Sequence, residues 1–296
     1  MARILRGVAI GVAAGGASVL MTVGPFGTAW AAQGAGDYQF QSTCANTAGP
    51  DVGQYLDGAP GAPTIRACAS SDFTTDTVNS QTQHALNLPV ADQGVEVPAP
   101  ANELVNGPGV YTIALCTKLD DLNNGGYVRL IDFKDGQTDN GLYEYTNGAL
   151  DFYPYVISTD TPITAGTYHQ IVVTRDASGT VTGYVDGAQE ITFDDSSTQD
   201  GVITAGPDSS GPVVRFRRDN DSGPNSEATT GTIARIQIFP SVLSTTNIAG
   251  LGCASGPPTS TPETPAAVLL PASAAALLGG GLIAWRRRNT QSTQAA

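Results

Sequence analysis

Four tyrosines pose the first chemical question. Tyr143 and Tyr145, then Tyr153 and Tyr155, alternate on either side of an Asn147-Gly148 turn signal. Alternate residues of a strand share a face, so each pair projects together, and two neighbouring strands would join the pairs into one aromatic platform. Sugars stack on such surfaces. The same rings would equally serve as filling between two sheets, because aromatic side chains dominate protein cores. A second group is Asp219-Asn220-Asp221-Ser222-Gly223, which sets hard oxygen ligands on a short turn and makes calcium the cofactor to expect there. The run lacks the spacing of an EF-hand, and an ordinary solvated Asx turn uses the same residues.

Catalytic constellations are harder to find. The glutamates Glu96, Glu103, Glu144, Glu190 and Glu227 are scattered singly. Glu144 and Asp151, on either side of the Asn147-Gly148 turn, come nearest to a facing acid pair, and exposed sheet charges account for both. The two histidines, His84 and His169, stand far in sequence from every cysteine, which argues against zinc, and no Gly-x-Ser-x-Gly elbow occurs. The expectation is a binding protein and not an enzyme.

These residues need elements to position them. Thirty-five glycines and 19 prolines in 296 residues, with only two methionines, favour short strands joined by tight turns. From Tyr111 the chain alternates in period two, with Tyr111, Ile113 and Leu115 on one face and Thr112, Ala114, Cys116 and Lys118 on the other. Further strands are expected at 127–133, 141–145, 150–156, 168–175, 181–185, 213–217 and 232–239. Asn147-Gly148, Ser178-Gly179 and Asp186-Gly187 supply turns that need positive φ. The pattern predicts an all-β, antiparallel β-sandwich of jelly-roll type.

The two ends read as addresses. Arg3 and Arg6 precede an apolar run from Val8 to Val23, and Ala29-Trp30-Ala31 then offers a small-x-small cleavage pattern, so residues 1–31 are expected to be a signal peptide. At the other end, Ala266 to Trp285 carries no charge over a length able to cross the hydrocarbon layer. Arg286, Arg287 and Arg288 would hold its far side in the cytoplasm, leaving 286–296 as a cytoplasmic tail. A Pro/Thr-rich spacer, 255–265, precedes this expected transmembrane helix. The tail resembles the tripartite sorting tails of Gram-positive surface proteins, although Leu270-Pro271-Ala272-Ser273-Ala274 departs from the LPXTG signal and lies inside the apolar run. A single-pass protein with an extracellular domain is the expectation. Five of the 14 basic residues lie in these terminal segments and all 27 acidic ones lie between them, a formal −18 that repels phosphate backbones and makes nucleic acid a poor partner.

All four cysteines, Cys44, Cys68, Cys116 and Cys253, fall in the exported part, where an even count predicts two disulfides. Of three possible pairings the favoured one closes a local loop, Cys44 with Cys68, and ties a central strand to the end of the domain, Cys116 with Cys253.

Tyr168 to Ala188, YHQIVVTRDASGTVTGYVDGA, resembles the central hairpins of laminin-G-like, concanavalin A-type jelly rolls. Tyr111 to Lys118 is similar to the early central strand of that family, with Cys116 where an aromatic is usual, and Gly231 to Ser244 resembles its closing strand. The likeness runs from about Ala85 to Leu251. It implies a structural role for His169 and a domain over 85–254, with 32–84 as an N-terminal extension. The superfamily holds sugar-binding modules and glycosidases, so fold alone does not assign an activity. The reading is a membrane-anchored surface module that binds glycans or a cell-surface protein. A structural envelope protein without small ligand stands second and a divergent glycosidase third.

Overall fold

The computed structural model describes residues 36–58, 64–99, 109–122, 126–205, 211–219 and 227–254. Its strands are β1 (Gly36–Tyr38), β2 (Gln54–Asp57), β3 (Thr64–Ala67), β4 (Phe73–Val78), β5 (Gln81–Leu88), β6 (Gly94–Pro98), β7 (Tyr111–Leu119) and β8 (Tyr127–Asp132). They continue with β9 (Gly141–Tyr145), β10 (Ala149–Tyr153), β11 (Val156–Ile157), β12 (Tyr168–Arg175), β13 (Thr180–Val185), β14 (Ala188–Asp194), β15 (Val213–Phe216) and β16 (Gly231–Phe239), followed by one helix, α1 (Thr245–Gly250). Every pairing is antiparallel, in two sheets that form a sandwich. The first runs β14-β13-β12-β7-β16-β5-β4, with β1 also on β16, and the second runs β11-β10-β9-β8-β15-β6-β2-β3.

Period-two alternation builds the core between them. Tyr111, Ile113 and Leu115 of β7 with Ile171 and Val173 of β12 face Val128 and Leu130 of β8, Leu142 of β9, and Leu150 and Phe152 of β10. The segment before residue 85 belongs to both sheets: β1 pairs with β16, β4 with β5, and β2 with β6. The boundary expected at residue 85 falls inside β5.

The outward residues of β7 are buried as well, because the chain after β16 crosses that face. Thr112 Oγ1 donates to the Ser241 carbonyl at 2.8 Å and accepts from Leu243 N–H at 2.9 Å. Ile248 of α1 then packs on Ala114, Val172 and Tyr184. Cys253 closes the crossing by a disulfide to Cys116, beside Val78 and Ala234, and the second bridge joins Cys44 to Cys68.

Among the described residues no helix is long and apolar enough to cross a membrane. The expected signal peptide (1–31), spacer (255–265), transmembrane helix (266–285) and tail (286–296) lie outside the described residues.

Candidate functional site

The outer face of the second sheet carries the tyrosines. In register, Arg129 of β8 neighbours Tyr143 of β9, which neighbours Asp151 of β10, while Tyr127 neighbours Tyr145 one step along. Leu142, Leu150 and Phe152 of the same strands point the other way into the core, so these rings are not inter-sheet filling. The turn that holds β9 against β10 has φ of +45°, +66° and +110° at Thr146, Asn147 and Gly148. A side chain at Gly148 would start 2.1 Å from the Ile163 carbonyl oxygen, so glycine alone fits.

Three of the four expected tyrosines come together, around one that sequence reasoning passed over. Tyr127 stacks on Tyr145 at 4.3 Å between ring centres and 25° between planes. It stands edge-on to Tyr143 at 5.4 Å and 74°, and to Tyr153 at 5.6 Å and 74°. Tyr143 and Tyr153 are themselves 6.4 Å apart at 79°. Tyr127, Tyr145 and Tyr153 are half-buried, and Tyr143 is buried. Tyr155 goes elsewhere: β10 ends at Tyr153, and the turn that follows stacks Tyr155 on Phe193 of β14 at 5.0 Å with its hydroxyl on Asp200.

Carboxylates close the open side of the ring group. Asp139, Asp219 and Glu227 bring one oxygen each within 4.8 Å of one another, and Asp139 and Glu227 line a small cavity of about 80 Å³ together with Tyr127, Tyr143 and Tyr153. Tyr143 donates its hydroxyl to the Asp139 carbonyl at 2.7 Å. Beneath them lies Arg129, fully buried. Its guanidinium sits 4.7 Å from the Tyr143 ring centre, 2.9 Å from Asp132, and 3.5 Å from both Asp139 and Asp219. A buried arginine paired in this way fixes the loop carboxylates in place. Burial, with Asp139 and Asp219 adding to it, pushes the Glu227 carboxyl up to about 7, and burial alone pushes Asp151 to about 6.

Asn220 and Asp221 of the expected calcium loop lie outside the described residues. Asp219 is buried and accepts from Glu227 N–H at 3.3 Å as well as facing Arg129. The cluster of Asp139, Asp219 and Glu227 offers three carboxylates where calcium takes six to eight oxygens, and Arg129 already reaches two of them, so these residues do not by themselves complete a calcium site.

Glu144 and Asp151 do not face each other. The register sets Glu144 opposite Leu150 and Asp151 opposite Tyr143, which places the two carboxyls on opposite faces of the sheet. His169 has the outline of a relay, with Nδ1 at 2.7 Å from Asp186 and Nε2 at 2.9 Å from the Thr164 hydroxyl. Nε2 also accepts the Thr164 backbone N–H at 3.0 Å, so its lone pair is occupied and offers no base to that hydroxyl. The arrangement ties the loop before β12 to the turn after β13.

Residues 91–249 match the laminin-G model of the concanavalin A-like lectin/glucanases superfamily. No curated protein matches the chain. Among solved structures, the chain is similar to the binding domain of botulinum neurotoxin DC in complex with SialylT, with TM-score 0.49 and 12% identity, covering 73% of this chain and 50% of that one. Domain 4 of an extracellular GH43 arabinanase from Geobacillus stearothermophilus, in complex with arabinotriose, gives 0.46 and 11%, covering 72% and 95%. The Ruminococcus gnavus IT-sialidase CBM40 bound to α2,3 sialyllactose gives 0.41 and 15%, covering 56% and 94%.

Proposed function

Because the chain belongs to the concanavalin A-like lectin/glucanases superfamily, we propose that it is a surface-displayed module that binds glycans on the outer face of its second sheet, without turning them over. The observation that carries this reading is the group of Tyr127, Tyr143, Tyr145 and Tyr153 on the face away from the core, with acidic side chains on its rim. The half-buried rings of Tyr127, Tyr145 and Tyr153 keep part of their surface available to a ligand, and carboxylates accept hydrogen bonds from sugar hydroxyls. Asp139 and Glu227 line the hollow of about 80 Å³, and with Asp219 they bring one oxygen each within 4.8 Å of one another, a crowding that supports recognition in preference to bond cleavage between two opposed groups.

The test is a glycan array probed with the purified protein in the presence of calcium and, separately, of chelator. Tyr153→Ala should weaken binding to the array hits about tenfold, the equivalent of about 1.4 kcal/mol. Its melting temperature should stay within a few degrees of the parent, since the ring is half-buried outside the core. A large melting loss, or hits indifferent to the substitution, would remove the tyrosine group as the site. An array without hits would favour the envelope role, and release of sugar products would favour the glycosidase. Calcium belongs to this reading through the 219–221 loop: a melting temperature that rises with millimolar calcium supports it, and one that does not move removes it.

Display is the second half of the proposal. Val8 to Val23 with the Ala29-Trp30-Ala31 pattern supports export, and Ala266 to Trp285 with Arg286 to Arg288 supports a single-pass anchor with the sandwich outside. Protease added to intact cells is expected to release nearly the whole sandwich into the medium. A sandwich left uncut while other surface proteins are shaved would overturn the anchored topology.

A further inference from the structure

Resting on the glycan reading, we infer that the site selects a cationic ammonium group and that its glycan is an amino sugar whose nitrogen is free and protonated instead of acylated.

The ring geometry separates this from ordinary sugar stacking. A sugar face needs one ring lying open and flat, whereas Tyr127, Tyr143 and Tyr153 stand at 74°, 74° and 79° to one another around a single hollow. Three mutually upright rings line one hollow, and aromatic walls of that kind attract a compact positive charge, as the Arg129 guanidinium 4.7 Å from the Tyr143 ring centre already illustrates. The remaining side is closed by Asp139 and Glu227, with Asp219 beside them. Arg129 is the positive group built into this corner, and its short contact, 2.9 Å, goes to Asp132; Asp139 and Asp219 are at 3.5 Å. One guanidinium against four carboxylates leaves the corner negative.

Size points the same way. The hollow of about 80 Å³ is far below the ~300–1,000 Å³ of pockets that enclose a whole small molecule, so it takes a head group and leaves the rest of the ligand on the sheet surface. A metal ion is less suited: it has no use for ring faces and asks for more oxygens than the three carboxylates supply. The Glu227 carboxyl adds a signature. Asp139 from the loop after β8, Asp219 after β15, Arg129 of β8 and Tyr143 of β9 all face it, and burial with the two aspartates holds it up at about 7. A bound cation favours its ionised form, so binding expels a proton near neutrality.

Titration calorimetry of the full-length protein decides the matter, with four probes: glucosamine oligomers, their N-acetylated counterparts, tetramethylammonium and calcium. The free amine is expected to bind at least about tenfold tighter than the acetylated form. Tetramethylammonium should compete with it and, having no proton to lose, should bind up to about tenfold tighter at pH ~8 than at pH ~5. Glu227→Gln should flatten that pH dependence. Tyr153→Phe should keep the binding and Tyr153→Leu should lose about tenfold, which separates a ring-face contact from a hydroxyl contact. Equal binding of acetylated and free oligomers would overturn the inference and leave the glycan reading standing. Tetramethylammonium binding with no oligomer binding would keep the ammonium pocket and overturn the amino sugar, the glycan reading itself resting on the array. Calcium that binds tighter than either cation and displaces both would make the corner a metal site and overturn the inference, and silence from all four probes would overturn it too, again leaving the glycan reading to the array.

Discussion

Removing the Cys116–Cys253 bridge by a double alanine substitution is expected to lower the unfolding free energy by about 5 kcal/mol, the largest loss any one covalent change should cause. The bridge spans 137 residues, against 24 for Cys44–Cys68, and the chain entropy withheld from the unfolded state grows with the logarithm of that span. The shorter bridge should therefore be worth about 3.5 kcal/mol. The native state loses something too, since Cys253 holds the last stretch of chain against Val78 and Ala234 on the outside of the first sheet. Urea denaturation of the two double variants measures both effects. A Cys116/Cys253 variant no less stable than the Cys44/Cys68 variant would show that the long bridge merely decorates a crossing that packing alone maintains.

Stability should also peak on the acid side of neutrality and fall as the pH rises from about 5 to about 8. Glu144 is the main cause. Its Oε1 accepts Gly148 N–H at 2.7 Å, but among the described residues Oε2 is buried without a hydrogen-bond partner, and burial pushes the carboxyl up to about 7. Glu227 at about 7 and Asp151 at about 6 act in the same direction. A carboxyl whose pKa is raised by folding binds its proton more tightly in the folded state, so its contribution is complete below the unfolded value and is lost as pH climbs through the folded one. Carboxyls held low oppose this only in stronger acid: Asp72, lowered first by Arg66, and Asp176, lowered first by Ser178, contribute above their ordinary range and lose that contribution below it. At about 1.4 kcal/mol for each tenfold gain in proton affinity on folding, Glu144 alone accounts for roughly 3 kcal/mol between pH ~4 and ~8. Glu144→Gln keeps the shape and removes the charge. Its unfolding free energy should vary less with pH by that amount, and a parent whose stability climbs steadily from pH ~5 to ~8 would contradict this assignment.

The strands from Tyr111 to Phe239 were legible because their apolar residues alternate against one core. β9 and β12 fall where the sequence sets them, and the expected strand over 150–156 divides into β10 and β11 at the turn around Pro154. The strands before residue 99 gave less signal. β4 reads FTTDTV and β5 reads QTQHALNL, which alternate weakly, since β4 is an edge strand and polar side chains suit its exposed side. β14 likewise edges its sheet with a half-exposed sequence. Pairing of Tyr143 with Tyr145 followed from strand period, whereas Tyr155 broke it because the strand stops at Tyr153. Tyr127 was hidden at a strand start beside an Asn/Gly run, although one feature could have found it: its register with Tyr145 is what an antiparallel neighbour of β9 must supply. The acid corner was beyond reach of spacing. Asp139 is far in sequence from Asp219 and Glu227 and meets them only because β15 pairs with β8, a contact that joins residues some 80 positions apart.

The strap of chain from Ser241 to Cys253 has an effect on which way the molecule looks. It is laced over the back of the first sheet by Thr112, Ile248 and the disulfide, so the last described residues lie on the side opposite the tyrosines. If the proposed anchor holds the sandwich through that end, its back would lie toward the tether and its tyrosine palm away from it. On the proposed reading, a long glycan would then be met by its tip without threading beneath the body of the protein. The lacing thus acts as a mounting bracket, and the covalent bond at Cys253 makes the bracket stiff at the very place where a tether would pull.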